Sequence, residues 1–284
     1  MEIAARWILL LLLIHAYVLI ACGSRLDDPV LPTNLNVAVN PWADPLGARR
    51  IPRHVWISMK TVPPADLLPT HIRRLVAREA LSNWTVHLED NAAQLRFMET
   101  HFANTSTLWA FRQISPRIGN AASDIWRYSL LLLWGGVYLD DDSFIEAPFE
   151  TMVQPNDSLI LTREPNAYTD ECYIDSFSMS DTSLAERFPP KVRVQEINGG
   201  RTLVSWAVFA EPKHPFIRRT LENIVELIRL EYLRKSALKL RYYDHKWKIV
   251  MCTTGPTVLT VSVKQVLLEQ VCHAMLILAC RLKA

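Results

Sequence analysis

The sequence predicts an α/β fold, in which strands of a largely parallel sheet alternate with helices. Two runs rich in β-forming residues, His54–Ser58 and Trp84–Leu88, flank a segment, Ala65–Leu81, whose apolar positions recur at helical spacing. This strand–helix–strand order is typical of a parallel α/β unit. The later part of the chain adds two strand candidates and one amphipathic helix, at Leu159–Thr162, Leu203–Ala210 and Phe216–Tyr232.

The composition is compatible with one sizeable domain and argues against a nucleic-acid binder. The 284 residues are 50% hydrophobic, which is enough for one substantial core. Lysine and arginine number 31 against 29 acidic residues, so the net charge of +2 predicts no basic surface for nucleic acid. The 5 cysteines form no CxxC pair, and both a disulfide such as Cys172–Cys252 and buried free thiols remain open.

The N-terminus carries an apolar segment that predicts a membrane anchor. Trp7–Cys22 is interrupted only by His15, and as a helix this run would be about 24 Å long. We expect an uncleaved signal anchor over residues 1–23, with a cleaved signal peptide or a lipid-modified Cys22 as alternatives. Each interpretation places the body of the protein outside the cytosol. The proline-containing residues 24–50 predict an extended stem.

The stretch Gly119–Ile145 contains the residues that predict chemistry. Within it, Ala121–Trp134 predicts a helix, which the pair Gly135–Gly136 ends because glycine adopts positive φ without steric cost. Val137–Leu139 then predicts a short buried strand, and Asp140–Asp142 follow where this strand ends. Ligands in open α/β sheets bind at this end of the strands.

The spacing of the aspartates predicts a divalent metal site at Asp140 and Asp142. Along an extended segment alternate side chains point to the same side, which places these two carboxylates about 6.6 Å apart in rise. Two carboxylates at that spacing can share one cation, and hard oxygen ligands favour Mg²⁺ or Mn²⁺. A bound diphosphate would complete the coordination shell, whereas the alternative is a solvated acidic turn.

A charged pair on the preceding helix lies beside this predicted site. Asp124 and Arg127 are spaced i, i+3 and therefore share one face of the helix. As an exposed ion pair they would contribute little to stability. Because the helix leads directly into the aspartates, we expect the pair to be functional.

This ordered set resembles glycosyltransferase family 32, the group that contains Golgi initiating α-mannosyltransferases. The family pattern places an aspartate and an arginine on a helix before GG-(I/V)-Y-L-D-x-D. Ile51–Arg53 with Lys60–Thr61 is similar to the family's first-strand motif, and Thr254–Pro256 is similar to its late T-G-P turn, so the resemblance spans about residues 51–260. The residues that match the central pattern are Ser123, Asp124, Arg127, Tyr128, Gly135, Gly136, Tyr138, Leu139, Asp140 and Asp142.

The resemblance implies a Rossmann-like GT-A fold for nucleotide-diphospho-sugar transfer over residues 51–284. The implied reaction is a retaining hexosyl transfer that depends on Mn²⁺ or Mg²⁺. Asp142 would bind the metal directly, and Asp140 would contact the donor ribose and the metal. Asp124 and Arg127 would hold the donor sugar.

The same resemblance implies the remaining partners of the site. Trp56 would stack on the nucleotide base, with a core aromatic as the alternative, and Tyr138 would belong to the nucleotide-binding set. The implied donor is GDP-mannose first, with UDP-hexoses open, and the acceptor is a glycan or glycolipid. The implied location is the Golgi or ER membrane, single-pass type II with a lumenal catalytic domain. Sequons at Asn83, Asn104 and Asn156 are compatible with that location.

The chain departs from the family pattern in two places. Trp56 and Met59 stand where family members usually have histidine and tryptophan. The late His-rich and G-S-W-like segment, which supplies a metal ligand, is replaced by an apolar, helix-like tail, Val261–Ala284, in which only His273 is a possible ligand. The C-terminal part is therefore atypical or truncated. A catalytically impaired GT-A domain that binds sugar or assists a partner is an alternative function.

A haloacid dehalogenase-type phosphohydrolase is a second alternative. That class also ends an apolar strand with D-x-D, as Asp140 and Asp142 do here. It usually has threonine or valine where Phe144 stands, and it requires a later GDxxxD motif that this sequence lacks.

Overall fold

The computed structural model describes residues 29–32, 49–115, 118–164, 192–196, 202–234 and 250–281. The predicted anchor over residues 1–23 and most of the predicted stem lie outside the described residues. Among the helices that the structure does describe, none is long and apolar enough to cross a membrane.

A mixed sheet forms the centre of the described structure. It follows the order β2-β1-β3-β7-β4-β5, with β6 paired to the end of β4. β2, β1 and β3 are parallel, whereas β7 is antiparallel to both β3 and β4. The predicted α/β class is confirmed, and the mixed sheet fits the GT-A architecture that the resemblance implies. The strands are β1 (His54–Ser58), β2 (Thr85–Glu89), β3 (Gly136–Asp140), β4 (Leu159–Glu164), β5 (Val192–Glu196), β6 (Thr202–Leu203) and β7 (Ala207–Ala210).

Helices connect and cover these strands. The side chains of Asp90 and Thr105 each cap the N-terminus of the helix that follows. Each accepts a hydrogen bond from the backbone N–H three residues later. Cys252 lies in a π-turn, Val250–Thr254, and forms a disulfide, which excludes a free thiol at this position. Cys172, the possible partner considered from the sequence, lies outside the described residues. The helices are α1 (Thr70–Ala80), α2 (Asn91–His101), α3 (Ser106–Gln113), α4 (Gly119–Leu133), α5 (Phe149–Met152), α6 (Pro215–Arg234) and α7 (Pro256–Arg281).

The helix predicted over Ala65–Leu81 is shorter than expected. Its first part is a separate 3-10 turn, Ala65–Leu67, and α1 begins only at Thr70. Leu68 between them has an extended backbone, with φ −60° and ψ 144°. The reason is Pro69, because a proline ring disfavours the helical conformation of the residue before it.

The single strand predicted over Leu203–Ala210 is wrong, because two short strands occupy this segment. β6 ends at Leu203 and β7 begins at Ala207, and Ser205 and Trp206 form a bend between them. The bend aims backbone carbonyls at the end of β3, where that of Trp206 accepts from the Asp140 N–H at 3.0 Å. Apolar patterning does not report such a break, because the residues on both sides of it are buried.

α4 is the central helix of the core. Of its 15 residues, 12 are buried. One face of the sheet, which carries Trp56 and Tyr138, packs against α4 in the larger apolar cluster. The opposite face, which carries Val55 and Leu139, packs against α1 in the smaller cluster. Polar residues on α4 are therefore enclosed, and enclosed charges require partners.

The two glycines after α4 have the positive φ angles that the sequence predicts. The values are 70° at Gly135 and 101° at Gly136. A Cβ on Gly136 would lie 2.6 Å from the carbonyl oxygen of His54, so this position also has no room for a side chain. The Gly135 carbonyl accepts from Trp56 Nε1 at 2.9 Å. This turn lets α4 lead into β3 with no intervening loop.

We predict that Gly136→Ala lowers the unfolding temperature by roughly 5 °C or more, because the strained φ and the overlap with β1 together cost about 2–4 kcal/mol. Gly119→Ala is the matched control, since no atom lies within 4 Å of the Cβ that it adds. That variant should keep the unfolding temperature or raise it slightly. Thermal denaturation followed by circular dichroism measures both, and equal effects would contradict the steric explanation.

A buried histidine makes the stability of this fold depend on pH. His214 accepts a hydrogen bond from the Phe216 N–H, 3.3 Å away, at the start of α6. Burial, and then the charge of Arg50, lowers the pKa of His214 to about 4. The unfolded chain binds this proton at about pH 6.5. Stability is therefore present at neutral pH and is lost as the pH falls from about 6.5 towards 4.

We predict that His214→Asn, which keeps an acceptor but does not titrate, loses less stability between pH 7 and pH 4.5 than the wild type. The difference should be on the order of 2 kcal/mol. Urea denaturation at the two pH values measures the free energy of unfolding of each protein. The same loss in both proteins would assign the pH dependence to other groups.

Candidate active site

The carboxyl ends of β1 and β3 meet the N-terminal half of α4 at one edge of the sheet. Ser58, the last residue of β1, is the register partner of Asp140, the last residue of β3. The hydroxyl of Ser58 lies 3.0 Å from that of Ser123 on α4 and accepts a hydrogen bond from Gln94 on α2 at 2.8 Å. The strand ends are thereby tied to the helix that carries the predicted charged pair.

Arg127 lies at the centre of this site and connects three segments of the chain. Its Nη2 atom lies 3.0 Å from Asp124 Oδ1 and 3.0 Å from Asp140 Oδ1, and its Nη1 atom donates to the Ser205 carbonyl. The guanidinium carbon lies 4.2 Å from the ring centroid of Tyr138. Burial alone would lower the pKa of Arg127, but the charge of Asp140, followed by those of its other neighbours, raises it. The guanidinium is a permanently charged, buried hub.

Asp124 is the innermost carboxylate of the site. Its side chain is only 3% exposed, so the alternative of a surface ion pair with Arg127 is wrong. Oδ2 accepts from the Thr254 hydroxyl at 2.7 Å, and Thr254 is itself fully buried. Burial raises the pKa of Asp124 to about 6, against the opposing effects of Arg127 and Thr254. Both oxygens are thus engaged within the protein.

Asp140 lies at the boundary between the buried hub and the solvent. Its Oδ1 atom accepts from Arg127 Nη2 at 3.0 Å and from the Tyr138 hydroxyl at 2.7 Å. The side chain is 34% exposed, and Oδ2 accepts no hydrogen bond from the described residues. The inner oxygen is therefore fixed and the outer one is open.

The strand does not continue through Asp142, so the predicted alternation of Asp140 and Asp142 along an extended segment is wrong. β3 ends at Asp140, and the Ser143 N–H donates to the Asp140 carbonyl at 3.1 Å, which closes a β-turn. Asp141 and Asp142 are the exposed central residues of this turn. Partial burial, followed by the charges of Asp142 and Asp140, raises the pKa of Asp141.

The open carboxylate oxygens fit a hard divalent cation that brings further ligands with it. Asp142 makes no hydrogen bond or ion pair to the described residues. In the sequence it follows Asp140, whose Oδ2 atom is open, by two positions. Among the described residues, no group of three or more histidine, cysteine, aspartate or glutamate side chains is arranged to hold a metal. Asp140 and Asp142 would therefore hold a cation only together with water or substrate oxygens.

Trp56 lies in the core, two residues before the end of β1. Its side chain is 2% exposed, Nε1 donates to the Gly135 carbonyl, and the ring stacks on His87 with centroids 4.1 Å apart. It lines a cavity of about 270 Å³ together with aromatic side chains of α2 and α4. The structure favours the core-aromatic interpretation of Trp56 over stacking on a base.

Two contributors to the site are missing from the sequence-based site residues. Thr254, in the T-G-P motif, supplies the hydroxyl that binds Asp124. Ser205 supplies the carbonyl that binds Arg127. The T-G-P motif was a usable signal for Thr254, whereas a backbone carbonyl leaves no mark in the sequence.

Comparison with known proteins finds a similarity in the segment that contains the candidate site. Residues 71–160, which contain Asp124, Arg127, Asp140 and Asp142, match the family model of a glycosyltransferase sugar-binding region containing a DXD motif. No curated protein matches the chain. This part of the chain is therefore similar to glycosyltransferase sugar-binding regions.

Three solved structures show a distant similarity. The PaToxG glycosyltransferase is 16% identical, over 80% of this chain and 74% of that chain, with a TM-score of 0.44. The UDP-bound glycosyltransferase domain from the YGT toxin is 14% identical, over 69% and 52%, with a TM-score of 0.33. The ligand-free form of that domain gives 15% identity, 69% and 53% coverage, and a TM-score of 0.32. The chain spans about half the length of the YGT toxin domain.

Proposed function

We propose that this protein is a metal-dependent glycosyltransferase that transfers a hexose from a nucleoside-diphosphate sugar. The observation that supports this most directly is the turn Asp140–Ser143, which presents the anchored carboxylate of Asp140 and two exposed carboxylates beside a buried guanidinium. The turn lies within the segment that matches the DXD sugar-binding region. An exposed acidic turn with no function would not require the buried pair of Asp124 and Arg127 beneath it, because burying charges is costly.

Asp140 and Asp142 would hold the divalent cation. When bound there, Mn²⁺ or Mg²⁺ would supply Lewis-acid neutralisation of the charge that develops on a leaving diphosphate. Asp140 offers Oδ2 in a fixed direction, because Oδ1 is held by Arg127 and Tyr138. Asp142 offers a carboxylate that can adjust to the ligand. This pairing of a fixed and an adjustable ligand suits a cation that enters together with its substrate.

Asp124 and Arg127 act through Asp140 rather than by the direct donor contacts that the resemblance implies. The Nη atoms of Arg127 and both oxygens of Asp124 are bonded within the protein. Only Arg127 Nε is left without a partner among the described residues, and it is buried. Arg127 therefore positions Asp140 and supplies fixed positive charge near the reaction centre.

The finer assignments are part of the proposal. The donor is GDP-mannose first and a UDP-hexose second, the reaction retains the anomeric configuration, and the acceptor is a glycan or glycolipid. We propose that residues 1–23 anchor the protein in the Golgi or ER membrane with the catalytic domain in the lumen. These assignments are supported by the family resemblance of the central motif and by the apolar N-terminal sequence.

We predict that the protein hydrolyses at least one nucleotide sugar in the presence of Mn²⁺, and that chelation abolishes this activity. GDP-mannose, UDP-glucose, UDP-galactose and UDP-N-acetylglucosamine are the donors to screen, with released nucleoside diphosphate as the readout. Asp142→Asn and Asp140→Asn should each lower the rate more than about 100-fold, because each removes a charge that holds the cation.

Asp141→Asn is the matched control, because it removes a carboxylate from the same turn without removing a proposed ligand. Its rate should stay within about threefold of the wild type, since the net change is one exposed charge. Full activity of Asp142→Asn, or activity without metal, would remove the proposal. Binding of nucleoside diphosphate and Mn²⁺ by calorimetry without turnover would instead support the catalytically impaired domain.

We predict that Thr254→Val raises the donor KM and lowers kcat, together about tenfold or more, because Asp124 loses a hydroxyl partner that only a buried donor can replace. Thr254→Ser, which keeps the hydroxyl, should restore most of the activity. Stability is measured in parallel, with an expected loss of about 1–3 kcal/mol for the valine variant. If serine fails to rescue while stability is restored, the hydroxyl has no role in the site.

A further inference from the structure

Phe144 is an unusually exposed aromatic residue next to the carboxylate turn. Its side chain is 74% exposed, and it lies two residues after Asp142. Scattered apolar side chains are normal on a protein surface, so exposure alone carries little meaning. The position does carry meaning, because loops beside the carboxyl ends of strands are where α/β proteins bind their substrates.

The ring of Phe144 is held in place by a second ring. His71 on α1 packs against it with centroids 4.5 Å apart and planes inclined by 33°. His71 is itself fixed, because its Nε2 atom lies 2.6 Å from the Asp141 carbonyl oxygen, to which it donates a hydrogen bond. One side of the Phe144 ring is therefore supported by a residue that is tied to the same turn as Asp142. The other side faces the solvent.

Phe144 and the buried charges lie on different sides of the turn. Asp124 and Arg127 belong to α4, which packs on one face of the sheet. His71 belongs to α1, which packs on the opposite face. A molecule on Phe144 would therefore approach the Asp140–Asp142 turn from the side of α1, away from Asp124 and Arg127.

The chemistry around Phe144 selects a neutral, polyhydroxylated ligand. A supported aromatic ring has an electron-rich face, which attracts the C–H groups on the apolar face of a sugar ring. The exposed carboxylates of Asp141 and Asp142 next to it would repel an anionic molecule that brings no cation with it. A neutral pyranose combines the apolar face with the absence of negative charge.

We propose that Phe144, supported by His71, is the acceptor-binding platform and that the acceptor presents a neutral sugar ring to it. This proposal rests on the proposed transferase function and assigns the second substrate of the same site. Phe144 binds and orients the acceptor, whereas the donor and the cation are held by other residues. Its loss should therefore change the use of the acceptor and leave the hydrolysis of the donor intact.

The test compares Phe144→Ala, Phe144→Trp and Leu81→Ala in the full-length protein with Mn²⁺. Leu81 is the matched control, an exposed apolar residue, 87% accessible, that follows the far end of α1. The acceptor probes are methyl α-mannopyranoside and methyl β-galactopyranoside. Phe144→Ala should raise the half-saturating acceptor concentration about threefold to tenfold, with donor hydrolysis unchanged. Phe144→Trp and Leu81→Ala should behave like the wild type.

His71→Ala extends the test to the supporting ring. It should weaken acceptor use less than Phe144→Ala does, and the double variant should be no worse than Phe144→Ala alone, because the support has no role without the platform. Additive effects of the two substitutions would show that His71 does not act through Phe144.

Saturation-transfer NMR with the same methyl glycosides gives a readout that does not require turnover. The signal should be present for the wild type and lost in Phe144→Ala. The proposal is overturned if this signal is absent from the wild type, if Phe144→Ala leaves acceptor use unchanged, or if it lowers donor hydrolysis equally. A wild type that binds glycosides but hydrolyses no nucleotide sugar would contradict the transferase function while supporting the platform.

Discussion

The buried guanidinium of Arg127 is the interaction on which the site depends. It bridges Asp124 and Asp140 and reaches the bend between β6 and β7 through the Ser205 carbonyl. A charge enclosed in this way destabilises the fold unless its partners are in place, because desolvation is not compensated otherwise. Folding of the core and formation of the site are therefore one event, since the same contacts satisfy both requirements.

This dependence explains why distant parts of the chain converge on one short motif. Thr254 lies 130 positions from Asp124 along the chain, and Ser205 lies 78 positions from Arg127. Neither supplies a charge, yet each fills a hydrogen-bonding position that water cannot reach. The late T-G-P turn is thus tied to the site by a single hydroxyl. A chain that ended before the turn Val250–Thr254 would leave Asp124 with an unpaired oxygen in the core.

Most of the fold was accessible from the sequence because apolar patterning and glycine chemistry report local structure well. β1 and β3 formed where the apolar runs predicted them, and Gly135 and Gly136 took the predicted positive φ. The errors occurred where a contact that apolar patterning does not report decides the course of the backbone. The bend at Ser205 is fixed by Arg127, and the turn after Asp140 by a local hydrogen bond, and neither leaves a periodic signal.

The site residues also divide into those whose positions local spacing predicts and those whose positions packing decides. Asp124, Arg127, Asp140 and Tyr138 are brought together as a group, since their spacing on one helix and one strand fixes their positions. The prediction for Trp56 depended on which way a large ring turns from β1. Packing decides that direction, and here it is set by the Gly135 carbonyl and the His87 ring. Side-chain direction in a crowded core lies beyond what sequence spacing can predict.

The charge balance of the site has a consequence for the order in which ligands enter. Four carboxylates, those of Asp124, Asp140, Asp141 and Asp142, lie in the hub and the turn, and only the first two are paired with the guanidinium of Arg127. The excess negative charge is evident in the raised pKa of Asp141, to which its two aspartate neighbours contribute after partial burial. A diphosphate alone would meet repulsion at such a turn, whereas a divalent cation would be attracted. In the proposed reaction Asp140 and Asp142 would hold the cation together with oxygens of the diphosphate, so each of the two ligands would favour the binding of the other.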